Sequence, residues 1–480
     1  MASFNIIVAT DKHNGTSVDG CIVGAGTPHA RMYFEWFRTI VTDQIVIIGR
    51  RAYDQLSGYL PNCMSVVIEN NIIGSTIGVL TKTPLVVVQS FDAALLWIAN
   101  AQKVNFVGST SKRVYVCGGN NVFAVAIKHP LCNGVLVNKL PIDDKCDKFL
   151  PVDELVDTRI GTNSIRVHMG NNHGNAVYSL ALIIRYTFFN EDETAYLKLL
   201  QSLLNAPIHR NRTGVPTRTL FAQSLRFRLT DYRGMVIPLM TTKDIPFKSI
   251  ITELLWFLRA DTNTDFLHSH GVKIWDANTT RKALDARGLV SYSVGDTGPI
   301  YGCQWRNWNG VNIDQIQRVI ATLRTDPWDR RMIVSAWNPE KIDQMCLPAC
   351  HCMFQFHVSP NMNGDPKILN CIVNMRSADV VLGVPFNVAS YATLTHIIAT
   401  LTGMHAGELV ISMADCHIYE NHVDGIHEQL KRNPRRFPTL GMNQSMSLYT
   451  SIDSFTNADP NQYTVNGYMP HPRIKFEMAI

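Results

Sequence analysis

Five short apolar runs in the first 120 residues constrain the fold of this chain more than any other feature. They are rich in Val and Ile, and stretches with helical or turn composition separate them. The runs lie at 4–9, 45–48, 64–68, 84–88 and 113–117. Short β-branched strands that alternate with helices are typical of a mostly parallel sheet that is buried on both faces. The sequence therefore predicts an α/β domain with a central, mostly parallel sheet in the N-terminal part.

The pattern changes before residue 190. Two longer strand-like runs, Ser164–His168 and Val177–Phe189, flank a turn at 170–174, and a hairpin there would close the first domain. Asn190 follows as a predicted helix cap, because three acidic residues and then an apolar helical pattern come after it. We therefore predict a first domain over 1–189 and a second domain over 190–480.

The second domain has the pattern of an α+β fold, with segments of helical apolar spacing and segments that resemble strands. The predicted helices are 247–258, 313–323, 388–401 and 422–430, and the predicted strands are 332–337, 353–358 and 369–375.

Composition excludes several classes of protein. The chain has 480 residues, of which 46% are hydrophobic, so it can bury two ordinary cores. A net charge of +5 is small for this length, and no Lys/Arg cluster alternates with aromatic residues, so no nucleic-acid partner is predicted. No apolar run reaches the roughly 18 residues of a membrane helix. With eleven Cys and no secretory signal, we expect reduced thiols in the cytosol.

Cys350 lies in the segment Leu347-Pro-Ala-Cys-His-Cys352, which is consistent with more than one kind of site. A zinc site would need wider Cys spacing and a second ligand cluster, which we do not find, so no metal is predicted. A buried structural Cys and a nucleophilic Cys both fit the segment. The nucleophile would need cationic neighbours to stabilise its thiolate.

Several Arg residues in turns can supply this charge. Arg330 and Arg331 follow a helix end, Arg376 stands at a strand end beside Ser377, and Arg212 lies in a turn that contains Gly. A single Arg in a turn is usually only solvated. Four of them with a Ser hydroxyl would suit a phosphate, because guanidinium groups bind phosphate oxygens bidentately.

From Asn190 to its last residue, the chain resembles thymidylate synthase in a dozen short motifs that follow the family's order. The motifs are Arg212-Thr-Gly, Pro238-Leu-Met-Thr-Thr-Lys243, Ser249-Ile-Ile-Thr-Glu-Leu-Leu-Trp-Phe-Leu258, Ile274-Trp-Asp276, Gly298-Pro-Ile-Tyr-Gly302, Gln304-Trp-Arg306, Asp329-Arg-Arg331, Pro348-Ala-Cys-His351, Arg376-Ser377, Leu382-Gly-Val-Pro-Phe-Asn387, Asp415-Cys-His-Ile-Tyr419 and Pro470-His-Pro. Each motif alone would be weak, but their shared order makes the resemblance specific.

The resemblance implies the methylation of dUMP to dTMP, with 5,10-methylenetetrahydrofolate as co-substrate and dihydrofolate as product. Cys350 would add to C6 of the uracil ring as a thiolate, which makes C5 nucleophilic. Glu253, a carboxylate in an otherwise apolar helix, would transfer protons through ordered water, and Tyr301 would help to remove the C5 proton.

The resemblance also implies the residues that bind each ligand. In the family the paired Arg residues come from the neighbouring subunit, which implies a homodimer with Arg330 and Arg331 acting across the interface. Asn387 would distinguish uracil from cytosine. The implied dUMP ligands are Arg212, Arg330, Arg331, His351, Arg376, Ser377, Asp379, Asn387, His417 and Tyr419. The implied folate ligands are Trp275, Asp379, Gly383 and Ala479, the last in a tail that closes over the site.

Three positions depart from the synthase pattern. Met375 stands where the family commonly has Gln, Asn211 where it often has Asp, and Ala349 where it has Pro. None of these changes removes a catalytic atom, so the reaction type is expected to hold.

Residues 4–189 resemble dihydrofolate reductase, the partner that is fused to thymidylate synthase in many protists. The motifs are shorter here: Ile7-Val-Ala-Thr-Asp11, Val46-Ile-Ile-Gly-Arg50, Leu60-Pro61, Val114-Tyr-Val-Cys-Gly-Gly119 and Asp147-Lys-Phe-Leu-Pro151. NADPH would be a cofactor only if this domain is active.

Functional residues of that family are missing. Its early helical carboxylate falls on Tyr33 or, in a shifted register, on Ala30, and Glu35 is the nearest acid. Cys63 replaces the Arg that holds the folate carboxylate. The hydroxyl groups that receive the NADPH phosphate are replaced by Glu69, whose charge would repel that phosphate, and by Asn70. Two further departures are the family's Leu-Pro-Trp, which is absent from 21–28, and Asn120, which stands where a third Gly is common.

We therefore predict a thymidylate synthase that carries a degenerate reductase domain. The alternative is a fully bifunctional enzyme. A third possibility, in which both halves only bind nucleotide or RNA, is opposed by the intact Cys350, Glu253 and Asn387.

Overall fold

The chain divides into two compact units, Met1–Phe189 and Asn190–Ile480, which we call the first and the second unit. The computed structural model describes residues 3–18, 21–23, 27–56, 60, 62–70, 76–80, 83–140, 142–150, 160–167, 181–188, 190–211, 213–231, 233–361, 364–442 and 449–477. Within these residues, no helix combines the length and apolar character that crossing a membrane requires.

The described part of the first unit consists of short strands and of helices that connect them. The strands are β1 (Phe4–Thr10), β2 (Gly15–Val18), β3 (Cys21–Ile22), β4 (Ile45–Gly49), β5 (Met64–Ile68), β6 (Thr76–Leu80), β7 (Thr83–Val88), β8 (Val114–Cys117), β9 (Cys132–Lys139), β10 (Lys148–Phe149), β11 (Ile160–Val167) and β12 (Ala181–Phe188). The helices are α1 (Pro28–Val41), α2 (Arg50–Leu56), α3 (Phe91–Lys103) and α4 (Asn120–Lys128).

A mostly parallel sheet forms the centre of this unit. Its described strands follow the order β11-β12-β9-β1-β8-β4-β5-β7-β6. The central pairs are parallel, whereas β12 pairs antiparallel with β9 and β11, and β6 pairs antiparallel with β7. The five apolar runs lie in β1, β4, β5, β7 and β8, so the predicted parallel sheet is confirmed. All four residues of β8 are buried, which explains its unbroken apolar sequence.

The predicted closing hairpin corresponds to the antiparallel pair of β11 and β12, in which Ile160 lies opposite Phe188. Its first strand begins four residues before the predicted start, and its second begins four residues after. The turn predicted at 170–174 lies outside the described residues.

The described part of the second unit contains longer strands. They are β13 (Ile208–His209), β14 (Thr217–Arg228), β15 (Thr230–Asp231), β16 (Gly234–Met235), β17 (Ile333–Ser335), β18 (His351–Pro360), β19 (Pro366–Asp379), β20 (His405–Tyr419), β21 (Thr439–Met442) and β22 (Tyr463–Asn466). The helices are α5 (Glu191–Leu204), α6 (Phe247–Leu258), α7 (Asp265–Ser269), α8 (Arg281–Ala286), α9 (Tyr301–Arg306), α10 (Gln315–Thr325), α11 (Gly383–Leu401), α12 (Val423–Leu430) and α13 (Ile452–Thr456).

A six-stranded sheet, in the order β13-β14-β20-β19-β18-β17, supports the second unit. β19 and β20 are parallel neighbours, and the other neighbours are antiparallel. Helix α11 packs against β19 and β20 and is buried over most of its length. This packing brings the C-terminal ends of β19 and β20 close to the beginning of α11.

The first helix of this unit begins at the predicted cap. The side chain of Asn190 accepts a hydrogen bond from the Glu193 N–H at 3.0 Å, and its amide donates to the carbonyl of Arg435 at 2.7 Å. Glu193 is itself buried, and its carboxylate accepts from the backbone N–H groups of Thr241 and Thr242 at 2.8 and 2.7 Å. Helix α5 is thus tied to the segment that precedes α6.

Candidate functional site

Cys350 lies immediately before β18, and a guanidinium group lies beside its sulfur. Nη2 of Arg376 donates to Sγ of Cys350 at 3.7 Å. The same Arg is held in place by the backbone, because its Nε donates to the carbonyl of Ala349 at 2.9 Å and Nη2 donates to that of Pro348 at 2.8 Å. A cation fixed beside a partly exposed sulfur stabilises the thiolate, which is the nucleophilic form of Cys.

Two buried rings support the backbone of Cys350. The hydroxyl of Tyr301, the first residue of α9, accepts a hydrogen bond from the Cys350 N–H at 2.8 Å. The ring of Tyr301 stacks on His351 with centroids 3.9 Å apart. Burial lowers the pKa of His351 to about 3, so this imidazole is neutral, and it shares a hydrogen bond with the Tyr391 hydroxyl at 2.7 Å.

Glu253 is the acidic group of this site whose pKa burial changes most clearly. Burial raises its pKa to about 7, and a hydrogen bond from Nε1 of Trp275 to Oε1, at 2.8 Å, opposes this rise. A carboxyl group with this pKa can both donate and accept a proton near pH 7. Trp275 is only 7% exposed, and its ring also lies near those of Trp256, Phe257 and Tyr301.

The end of β19 and the start of α11 form a small cluster. Oδ1 of Asp379 accepts from the backbone N–H groups of Val381 and Leu382, which leads the chain into α11. A Cβ added to Gly383 would lie 3.7 Å from Oδ1 of Asn387 and 3.8 Å from Cβ of Asp379, both ordinary contacts. The packing of the described residues therefore does not require a glycine at 383.

The ends of β19 and β20 bring further predicted residues together. In this parallel pair, Ser377 is opposite Asp415 and Asp379 is opposite His417. Nδ1 of His417 shares a hydrogen bond with Asp415 at 2.7 Å, and the rings of His417 and Tyr419 are 5.4 Å apart. Residues that are about 40 positions apart in sequence thus line one edge of the sheet.

The remaining predicted residues lie elsewhere or outside the described part of the chain. Arg330 and Arg331 lie just before β17 and are exposed, and Arg331 forms an ion pair with Asp329 at 2.7 Å. Arg212 and Ala479 lie outside the described residues.

Lys243, a buried amine near this edge, has no role among the predictions from the sequence. Burial lowers its pKa to about 7, and its Nζ donates to the carbonyl of Val381 at 2.5 Å. The same Nζ lies 4.8 Å from the ring centroid of Phe476 in the C-terminal tail. A Cβ at Gly425 would come within 2.4 Å of that ring, so the tail lies directly against α12. In the sequence, the Thr-Thr-Lys motif was the one signal that could have pointed to this residue.

The first unit has its own cavity, with a volume of about 700 Å³. Ile7, Tyr33, Glu69 and the Gly118-Gly119 pair are among the residues that line it. Tyr33 is 5% exposed, and burial raises its pKa well above the ordinary value, so it stays neutral.

Two residues that the sequence analysis considered for this unit do not line the cavity. Glu35 is exposed on α1, and Cys63 is buried, with its Sγ donating to the carbonyl of Val41 at 3.0 Å. Among the described residues that line the cavity, only Glu69 and Asp92 carry carboxylates.

Two family models and several relatives match this chain. A thymidylate synthase family model matches residues 194–480, and a dihydrofolate reductase family model matches residues 4–164. The bifunctional dihydrofolate reductase-thymidylate synthase of Paramecium tetraurelia is 33% identical over 460 residues, which cover 92% of each chain. The protein of the same name from Zea mays is 30% identical, with 100% of this chain and 97% of that protein covered. The thymidylate synthase of Saccharomyces cerevisiae is 43% identical and covers 61% of this chain and 98% of its own.

Proposed function

Because this chain belongs to the family of bifunctional dihydrofolate reductase-thymidylate synthases, we propose that its second unit converts dUMP to dTMP. The one-carbon donor is 5,10-methylenetetrahydrofolate, and dihydrofolate is the second product. The enzyme acts as a cytosolic homodimer, and its first unit does not reduce dihydrofolate. The observation that carries the synthase proposal is the fixed guanidinium of Arg376 beside Sγ of Cys350.

Cys350 begins the reaction by adding its sulfur to C6 of the uracil ring. The bond places negative charge on the ring and makes C5 nucleophilic, which divides one difficult substitution into easier steps. Arg376 stabilises the thiolate before the attack, and Tyr301 fixes the backbone of Cys350. Asn387 forms hydrogen bonds with the edge of the uracil ring, and His417 and Tyr419 bind the hydroxyl groups of the sugar.

Glu253 transfers protons at the pyrimidine. Its pKa of about 7 lets a single group hold and release a proton during one turnover at neutral pH. The hydrogen bond from Trp275 orients the carboxyl group. Tyr301 helps to remove the proton from C5.

The folate co-substrate supplies the one-carbon unit and the hydride for the methyl group. The residues at the start of α11 fit this ligand, because a glycine at 383 that protein packing does not require leaves space for a ring, and Asp379 offers an acceptor. The tail near Phe476 covers this side of the site.

The first test is the Glu253→Gln variant. We expect the rate of dihydrofolate formation, which in the wild-type enzyme depends on dUMP, to fall by about 10²–10⁴-fold, because an amide cannot transfer the proton. The pH profile of the wild type should show an inflection near 7 that the variant lacks. Unchanged turnover with an unchanged profile would contradict the role of Glu253.

The same variant should be more stable than the wild type at pH 8. The pKa of Glu253 is raised from 4.5 to about 7 in the folded chain, so its ionisation favours unfolding. This loss of unfolding free energy is absent below pH 4.5, the pKa in the unfolded chain, and grows as the pH rises to about 7, the pKa in the folded chain. Above about pH 7 it is complete and reaches at most roughly 3 kcal/mol. Urea unfolding at pH 8 and pH 5 measures it, and the gain should shrink at pH 5.

Subunit mixing tests the proposal that Arg330 acts in the partner's site. Arg330→Glu and Cys350→Ser enzymes, each nearly inactive, should recover up to roughly a quarter of wild-type activity when their subunits exchange, because one of the two sites in a heterodimer is then intact. The matched control pairs Arg376→Glu with Cys350→Ser. Arg376 contacts the Cys350 of its own chain. In the heterodimer one site therefore lacks Arg376 and the other lacks Cys350, so this mixture should stay inactive. Recovery in neither mixture, after exchange has been verified, would contradict an intersubunit site.

A further inference from the structure

We propose that the cavity of the first unit binds a ribonucleoside diphosphate group whose ribose carries a free 2′-hydroxyl, and that Glu69 excludes a 2′-phosphate there. The proposal does not depend on the synthase reaction of the second unit. It assigns a ligand class that differs from NADPH, whose adenosine ribose carries a 2′-phosphate.

The cavity lies where an α/β sheet usually binds nucleotides. Its lining includes residues at or just beyond the C-terminal ends of β4, β5 and β8, which are Gly49, Glu69 and Gly118. Ligands of parallel sheets bind outside the carboxyl ends of the strands. A volume of about 700 Å³ is sufficient for a nucleotide.

The side of the cavity next to β8 suits a diphosphate. Gly118 and Gly119 both have positive φ angles, 74° and 86°, and Gly119 directly precedes α4. Among the side chains that the structure describes, none caps this nine-residue helix, and Asn121 and Val122 of its first turn line the cavity. Uncapped N–H groups at the start of a helix, beside a turn without Cβ atoms, can approach phosphate oxygens closely.

The side next to β5 suits a hydroxyl group instead. Oε2 of Glu69 accepts from Nε of Arg50 at 3.0 Å and forms an ion pair with Nη2 at the same distance, so the charge of this Arg is already compensated. In the described residues, no side-chain hydrogen bond to Oε1 is seen, so Oε1 can accept from a ribose hydroxyl. A dianionic 2′-phosphate would instead be repelled by the Glu69 carboxylate and would compete with it for Arg50. An acidic side chain at this end of a dinucleotide site is the usual partner of a 2′-hydroxyl, whereas an available Arg is that of a 2′-phosphate.

The two sides are separated by a suitable distance. β4 lies between β8 and β5, so the two strand ends are about 10 Å apart at ordinary sheet spacing. One ribose with its diphosphate can therefore reach from the glycine pair to Glu69.

Calorimetric titration of the full chain with three probes that differ only at the 2′ position tests the proposal. The probes are ADP, 2′-deoxy-ADP and 2′-phospho-ADP, and saturating dUMP is present to fill the second unit. We expect ADP to bind at least about tenfold more tightly than either of the others. NADH and NADPH form a further pair, in which NADH should bind more tightly. A higher affinity for NADH than for ADP would identify a dinucleotide as the ligand. Equal affinities for the two would identify a mononucleotide diphosphate.

The Glu69→Gln variant should reverse the preference, because it removes the repulsion and releases Arg50. Binding of 2′-phospho-ADP should improve by about tenfold or more, and ADP should lose affinity. Asp54→Asn is the matched control. It removes another carboxylate near Arg50, at 3.7 Å, that does not line the cavity, so the preference should stay as in the wild type.

Three outcomes would overturn the proposal. They are wild-type binding of 2′-phospho-ADP as tight as that of ADP, no binding of ADP at millimolar concentration, and a Glu69→Gln variant with the preference of the wild type. Formation of dTMP by Glu69→Gln reports separately on the second unit and should be unchanged.

Discussion

Replacing Cys350 by Ser should abolish dTMP formation, with a loss of about 10⁴-fold or more, while dUMP still binds. A Ser hydroxyl is almost fully protonated near pH 7, so the Arg376 guanidinium has no anion to stabilise, and the addition to C6 cannot proceed at a useful rate. The side chain keeps its shape, and the hydrogen bond from the Cys350 N–H to Tyr301 involves only the backbone. Product formation measures the first effect, and titration with dUMP measures the second.

Cys352→Ser is the matched control for this prediction. Cys352 is the second residue of β18, and its Sγ donates to the carbonyls of Ala349 and Cys350 at 3.7 and 3.6 Å. A Ser can make the same bonds, so we expect activity within a few-fold of wild type. A Cys350→Ser enzyme with a substantial share of the wild-type rate would show that another group is the nucleophile.

The second large effect is an absence of reductase turnover. The wild-type chain should not oxidise NADPH in the presence of dihydrofolate at a meaningful rate. Tyr33, on which the resemblance places the family's carboxylate unless the register shifts it to Ala30, is neutral and buried, and general acid help of that kind is typically worth ~10²–10⁴-fold. Cys63 lies in the interior and cannot replace an Arg, so the folate carboxylate loses a bond worth about 1.5–3 kcal/mol.

Two variants make this prediction sharper. Tyr33→Asp alone should not restore activity, because the folate and cofactor contacts are still missing. Glu35→Gln should change nothing, because Glu35 is exposed and does not line the cavity. If the wild type consumes NADPH in a reaction that requires dihydrofolate, is blocked by an antifolate inhibitor and is lost in Glu35→Gln, then this acid has moved into the reaction and our proposal for the first unit is wrong.

The elements that the sequence predicted best are those whose burial is uniform. β8 is buried along its length, β4 is buried except at Gly49, and α6 has the bounds that its apolar spacing predicts. The long strands β14 and β20 were not predicted, because their burial is irregular. In β14 the side chain of Phe221 is 83% exposed, so the alternation that marks a half-buried strand is broken.

The sequence is sufficient to name candidate residues for the site but not to predict their contacts. The motifs single out Cys350, Glu253 and Arg376 because the resemblance supplies their roles. No pattern indicates that Trp275 donates to Glu253, since this bond joins α6 to a loop 22 residues away. The contact of Lys243 with Phe476 of the tail was not predicted for the same reason, because these residues are more than 200 positions apart in sequence.

Asn190 sets a limit on how this chain can be shortened. Its side chain caps α5 and also donates to the carbonyl of Arg435. The first residue of the second unit therefore contributes to the stability of that unit. A recombinant fragment that starts at Glu191 would lose both bonds, of which the cap alone is worth about 1 kcal/mol. A fragment that keeps Asn190 would retain them, so separate expression of the synthase half has its cleanest starting point one residue earlier than the helix itself.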